Sequence, residues 1–415
     1  MIGMRGAARR VFPHQKEETR LANLYDYLLW RGDLSFSQAP LNEVDGLILS
    51  WLSYAEWDGI VPGDGGDCSL ADAAAAFLRL RPRPAQSQAF SVNAAAAAAV
   101  LVGRLCDCPR YRPLRLSAFV NEIDPQEQKQ FAALTIVCPE FSYLSFRGTD
   151  STFTGWREDC NLSLSQAVPA QLAAVAYLNR QAARLSDAPL YVGGHSKGGN
   201  LAVYAAVKCD AAVQARIERV YNNDGPGFLP AFLSGDDYRR VMDRIVTIVP
   251  QSSVVGLLLE HRERHIVVKS GNVGVLQHNS ANWAVLGTAF VRAELTAGSQ
   301  AVDRTLKEWM ATLDDDARRK FIDTLFTLLE ATGATRIEEL TAEGLGGLVR
   351  ALRRLSAMDA QQKDMLWRAV LTLVRAGNGA LYHTLITPGT ALLAQGQKRL
   401  RSLRARLMHG APRRE

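Results

Sequence analysis

The sequence predicts an α/β protein: a mainly parallel sheet with helices on both faces and helical additions at both ends. Three observations carry this. From about Leu116 to Lys269, short apolar runs of strand type alternate with helical patterns, as strand–helix–strand units do. The stretch Leu190-Tyr191-Val192-Gly193-Gly194-His195-Ser196-Lys197-Gly198-Gly199-Asn200 runs from an apolar strand through a glycine-rich turn into Leu201 to Val207, a buried-helix pattern. From about Ala301 the pattern is helical only.

Size and composition set the frame. At 415 residues the chain exceeds one ordinary core and suggests a large domain plus an addition. Its hydrophobic share of 47% and charged share of 22% are those of a globular protein. The formal net charge of +6 is concentrated at the ends, with seven Lys/Arg and no acid from Lys398 to Arg414. Such a tail suits a solvated helix end or an anionic membrane surface; no nucleic-acid partner is expected. Six scattered cysteines lack framework spacing, and Cys106-Asp107-Cys108 has no second pair to complete a zinc site, so no metal or cofactor is expected. No apolar run reaches the roughly 18 residues of a membrane span. The start, with Arg5, Arg9 and Arg10, lacks the apolar core of a signal peptide, so a cytoplasmic location is expected.

In chain order, residues 1–20 read as a disordered, basic leader. Leu21, Leu24, Tyr25 and Leu28 repeat at helical spacing, and Asn42 to Tyr54 forms a second apolar segment. Pro62 to Asp67 is a loop, and Leu70 to Leu80 is an alanine-rich helix. Ala94 to Leu105 is another helix, with Asn93 as its N-cap. Strands follow at Leu116–Val120, Leu134–Cys138 and Phe141–Phe146, then a helix over Gln166–Leu185. Further strands are expected at Ile217–Asn222, Arg244–Val249 and His265–Lys269. A helix over Asp314–Glu330, with three acids at its start and Gly333 past its end, leads into helices over Ile337–Leu355, Asp359–Arg375 and Ala380–Leu403. The expected domains are the leader at 1–20, an α/β domain over 21–300 that includes the N-terminal helices, and a helical module with a basic tail over 301–415.

The chemistry centres on Gly194, Ser196 and Gly198, a G-x-S-x-G pattern between strand and helix. This is a nucleophile elbow, the signature of the α/β-hydrolase fold, in which a serine sits on a strained turn and small neighbours let a carbonyl approach. The N–H of Lys197, at the helix start, suits one half of an oxyanion hole. Phe146-Arg147-Gly148-Thr149 ends a strand with small residues and offers Thr149 as the other half. Lys197 follows Ser196 directly across the turn, so its side chain points away and a Ser-Lys pair is not the reading.

A serine needs a base, and the base needs an acid to orient it, in the chain order Ser, acid, His. His278 lies in Gln277-His278-Asn279-Ser280, after the last strand and before a helix expected to contain Trp283. That is where a hydrolase places its base. His261 sits among Arg262, Glu263 and Arg264 as a solvated segment would, His265 starts a strand, and His383 lies in the helical module. For the acid, Asp224 follows the strand after the elbow helix, although an aspartate before Gly225-Pro226 also suits an Asx turn. The next strand ends in Pro250-Gln251-Ser252-Ser253 with no carboxylate, and Glu260 is the alternative further along.

Phe146-Arg147-Gly148-Thr149, Trp156, Asp159 and Gly194 to Asn200 resemble the class 3 lipase-like branch of the α/β-hydrolases. More closely, about Leu21 to Val285 resembles the Mbeg1-like family, a bacterial group of hydrolase-fold proteins. The segments that carry this are Tyr27 to Asp33, Asn42 to Leu49, Asp224 to Phe228, Val249 to Gly256 and Gln277 to Asn279. The resemblance implies a lipase-like fold with Ser196 as nucleophile, His278 as base and the Thr149 region as oxyanion hole. It does not carry over the acid, because class 3 lipases place an aspartate where this chain has Ser252 and Ser253.

The expected function is a serine hydrolase of lipase or esterase type acting on a carboxylic ester. The alternative is a hydrolase-fold protein that binds rather than cuts, using the helical module and basic tail as its surface. A peptidase or thioesterase would use the same triad.

Overall fold

The computed structural model describes residues 21–81, 93–150, 152–311 and 313–336, with isolated positions as far as 364. The leader, the helices expected beyond Ile337, His383 and the basic tail lie outside the described residues or almost wholly so.

The fold is an α/β-hydrolase fold built on one eight-stranded sheet whose strands lie side by side in chain order. They are β1 (Asp67–Ser69), β2 (Arg115–Asp124), β3 (Lys129–Cys138), β4 (Phe141–Phe146), β5 (Leu190–His195), β6 (Ile217–Asn223), β7 (Ile245–Pro250) and β8 (His265–Val268). Strands β1 to β4 pair antiparallel, and β4 to β8 pair parallel.

That order has a physical consequence. Right-handed crossovers that step steadily in one direction put all their helices on one face. Here α6 (Pro169–Ala182), α7 (Lys197–Lys208), α8 (Ala211–Arg216), α9 (Pro230–Leu233) and α10 (Asp236–Val241) share a core with Leu144, Val192 and Val220. The other face would be bare, and the N-terminal helices cover it. Those helices are α1 (Leu24–Arg31), α2 (Glu43–Leu52), α3 (Leu70–Leu80) and α4 (Ala94–Leu105), and they pack on Tyr143 and Tyr221. The close seat of α2 needs Gly46, since a Cβ there would come within 2.9 Å of the Tyr221 ring. The N-terminal segment is therefore core and not an appendage.

Several elements were not expected from the sequence. Strand β1 is three residues cut from a loop, and α5 (Phe153–Asn161) fills the stretch after β4, capped by Thr152. The helix α6 begins at Pro169, not Gln166, because proline is pre-set for the first helical position. Trp283 is not helical; it follows a short 3-10 turn and forms an isolated bridge with Ser270.

Beyond the sheet, β9 (Val285–Leu286) and β10 (Ala289–Phe290) make a small hairpin, followed by α11 (Ala297–Ala311) and α12 (Asp315–Glu330). Helix α12 packs Ile322 and Phe326 on Phe153 of α5. Among the described residues, no helix is long and apolar enough to cross a membrane, and no disulfide joins the six cysteines.

Candidate active site

Ser196 sits at the turn between β5 and α7 with φ 59° and ψ −135°, a conformation that side chains other than glycine rarely adopt. The neighbouring glycines are required by contact. A Cβ on Gly198 would lie 2.1 Å from the Phe146 carbonyl oxygen, and one on Gly194 would lie 2.2 Å from the Gly198 carbonyl carbon. A Cβ on Gly148 would lie 3.0 Å from the Ser196 Cβ, so the end of β4 runs directly beside the serine. That places Thr149 next to the elbow. Lys197 is the first residue of α7, where a helix N–H has no intrahelical acceptor.

The side chains of the two oxyanion candidates are engaged elsewhere. The Lys197 ammonium is buried and donates to Glu158 Oε2 at 2.8 Å and to the Gln130 carbonyl at 3.0 Å, pinning the start of α7 to α5 and β3. It points away from Ser196, as its place in the turn implied. The Thr149 hydroxyl donates to Asp159 Oδ2, which leaves its backbone N–H as the group to consider.

The structure brings His278 and Asp224 together, with Nδ1 of His278 2.7 Å from Oδ2 of Asp224. Asp224 is fully buried and lies at φ 53°, in the left-handed region that Asp tolerates better than most residues. Its other oxygen accepts from the Ser253 hydroxyl at 2.5 Å and from the Gly256 N–H at 3.2 Å. A Cβ on Gly256 would stand 2.3 Å from that oxygen. Ser253, in the region where a carboxylate was absent from the sequence, instead supports a carboxylate from the preceding strand. Glu260 is exposed, and its backbone pairs with Phe228. Of the two candidate acids, Asp224 is the one at His278.

Sequence reasoning missed the residues that hold the His278 loop. Trp51 Nε1 donates to the Ser280 hydroxyl at 2.8 Å, and Trp283 Nε1 donates to the Gln277 carbonyl at 2.9 Å. The Gln277 side chain accepts from the Ser252 N–H at 2.8 Å. His195 Nε2 lies 2.8 Å from the His278 carbonyl oxygen. Only His195 carried a sequence signal, as the second residue of the G-x-S-x-G pattern.

His261 corrects the expectation of a solvated segment. Its side chain is 3% exposed, with Nδ1 2.8 Å from Glu263 Oε1. Glu263 also accepts from the Thr247 hydroxyl at 2.6 Å and from the Tyr238 hydroxyl. Burial alone would raise the Glu263 pKa, but the bonds from His261, Thr247 and Tyr238 outweigh it and hold the carboxyl well below its usual range. His265, its ring centroid 4.6 Å from that of His261, is pushed down to about 4, by burial first and then by His261.

Both shifts are depressions, so as pH falls the unfolded chain takes up protons before the folded one, and stability is lost. For His265 the window runs from 6.5 down to about 4, and for Glu263 it lies below 4.5. The thermal midpoint is expected to fall through this range. His265→Gln should remove about one proton from the slope between pH 6.5 and 4. Equal slopes in the two proteins would contradict the assignment.

Among the described residues, no group of three or more His, Cys, Asp or Glu is placed to hold a metal ion. A family model described as Mbeg1-like matches residues 105–327. No curated protein is similar to the chain. Similar solved structures include the Rhizomucor miehei lipase propeptide complex, at 18% identity and TM-score 0.29 over 38% of this chain and 57% of that chain. They also include M37 lipase, at 15% identity and TM-score 0.33 over 52% and 70%. A fungal lipase–inhibitor complex matches at 14% identity and TM-score 0.32 over 49% and 83%. The chain thus spans a little over half the length of the first of these, and the fold assignment rests on its own topology.

Proposed function

The chain belongs to the Mbeg1-like family, and from the geometry around Ser196 we propose that it is a serine hydrolase acting on a carboxylic ester with an apolar acyl group. The observation that carries this reading is the His278–Asp224 pair, set on the loops beyond β8 and β6 in the chain order that the elbow calls for. Ser196 attacks the carbonyl carbon. His278, held in the Nδ1–H tautomer by Asp224, takes the serine proton on Nε2 and later gives it to the leaving alkoxide. The N–H groups of Lys197 and Thr149 stabilise the oxyanion of the tetrahedral intermediate. Water then repeats the sequence on the acyl-enzyme and releases the acid.

Apolar side chains exposed beside the site support an acyl substrate. Val273 and Leu276, just before His278, are 82% and 49% exposed, and Leu258 follows the loop that supports Asp224. Exposed apolar side chains of this kind are what a lipid ester would cover.

The test is turnover of p-nitrophenyl esters of short and long acyl chains by the wild type, Ser196→Ala and His278→Ala. Hydrolysis that rises with chain length and disappears in both variants is the expected result. Turnover that persists in Ser196→Ala would refute the reading.

A further inference from the structure

His195 precedes the nucleophile, yet the mechanism above does not use it. Its ring is buried and stacks on that of His278, with centroids 4.7 Å apart and planes tilted by 34°. Its Nε2 lies 2.8 Å from the His278 backbone carbonyl oxygen. A carbonyl can only accept, so Nε2 carries the proton. Burial, reinforced by the neighbouring His278, pushes the His195 pKa down to about 3 and keeps the ring neutral. In that tautomer Nδ1 is an acceptor, and the Tyr54 hydroxyl lies 3.1 Å from it and 3.1 Å from the His195 carbonyl oxygen, so its one proton lies between two acceptors of the same residue. A Cβ on Gly148 would lie 2.1 Å from the same Tyr54 oxygen, so the strand end beside Ser196 packs directly on that hydroxyl.

The result is a chain of hydrogen bonds from Tyr54 through His195 to the carbonyl of His278. It runs from the strand end beside Ser196 to the loop that bears the base. Tyr54 follows α2, outside the residues matched by the family model. Its place is set by α2, whose Ser50 meets the Tyr143 hydroxyl at 2.8 Å and accepts from Asn223 Nδ2 at 3.3 Å.

The need for such a chain is geometric. The bond from Nδ1 to Asp224 fixes one point of the His278 ring, and rotation about that point would swing Nε2 away from the serine. The backbone carbonyl and the ring face are two further points, and His195 touches both. We propose that His195 is a positioning residue for the base: oriented by Tyr54, it holds the His278 carbonyl and ring, so that the N-terminal helical layer sets the Ser196–His278 geometry. This rests on the hydrolase reading above.

Three variants separate the parts. His195→Phe keeps a ring to stack and removes the donor, His195→Gln restores a donor, and Tyr54→Phe removes the hydroxyl that orients the His195 ring. Active sites are counted by fluorophosphonate titration, and kcat and KM for a p-nitrophenyl ester are followed across pH. His195→Phe and Tyr54→Phe are each expected to lower kcat per titrated site about 10- to 100-fold with KM changed less than about twofold. The acid limb of the pH profile is expected to move, and His195→Gln should recover part of the loss. The double variant should lose less than the product of the single losses, because both act through one chain.

Tyr54→Phe stands alone as the test should His195→Phe fail to fold. Wild-type kcat per titrated site and an unchanged acid limb in the variants would overturn the positioning role while leaving the hydrolase intact. A wild type that neither labels at Ser196 nor turns over ester would overturn both.

Discussion

Asp224→Asn is expected to lower kcat about 10³- to 10⁴-fold without unfolding the protein. The reason lies on the far side of the carboxylate. Oδ1 accepts from the Ser253 hydroxyl and the Gly256 N–H, two donors that still require an oxygen when the side chain becomes an amide. The asparagine therefore keeps its oxygen there and turns its amide nitrogen toward His278. An amide N–H can only donate, so Nδ1 of His278 becomes the acceptor and its proton moves to Nε2. Nε2 then cannot take the proton of Ser196. Glu260→Gln is the matched control, because Glu260 is exposed and its backbone pairs with Phe228. Full turnover by Asp224→Asn, measured on the same p-nitrophenyl esters, would remove Asp224 from the mechanism.

The largest effect on stability is expected from Asp45→Ala, about 3–5 kcal/mol by urea unfolding. Asp45 and Arg110 form a fully buried ion pair, with both guanidinium–carboxylate bonds made at 2.6 and 3.0 Å. The carboxylate also accepts from the hydroxyls of Tyr27 and Tyr111. The guanidinium donates to the carbonyls of Leu34 and Ala39, and it lies 3.9 Å above the Phe36 ring. Alanine at 45 would strand a buried cation and two buried hydroxyls together. The pair Asp45→Leu with Arg110→Met should cost less than the sum of the single changes, since it leaves no charge unpaired. A loss under about 1 kcal/mol in Asp45→Ala would mean that this node does not hold the N-terminal layer to the sheet.

Most of the sheet and the serine turn were legible in the sequence because local signals agreed there. The strand ending at His195, the glycines and the apolar helix all point to one turn, and Gly194 and Gly198 each prove to be required by a specific backbone contact. Helices α3 and α4 have capping residues and run from end to end as read. What escaped depends on distant partners. Strand β1 exists because it pairs with β2, Cys68 opposite Leu116 far along the chain, and α5 because α12 covers it. The burial of His261 and Glu263 did leave a trace: the exposed Arg262 and Arg264 alternate with them, a period of two that marks one inward face. The run of charges masked it. The sequence names Asp224 as the acid for His278 and leaves Glu260 open beside it, for a different reason. Hydrogen bonds from Ser253 and Gly256 make Asp224 a firm anchor, and that support is visible only once β6 and β7 lie side by side.

The central claim is that Ser196 is a nucleophile activated by His278. Its most direct test is to incubate the full-length protein with a fluorophosphonate and locate the adduct by peptide mass spectrometry. One adduct is expected, on Ser196, lost in Ser196→Ala and strongly slowed in His278→Ala. Labelling that persists in Ser196→Ala, or a wild type that remains unlabelled while folded, would contradict it.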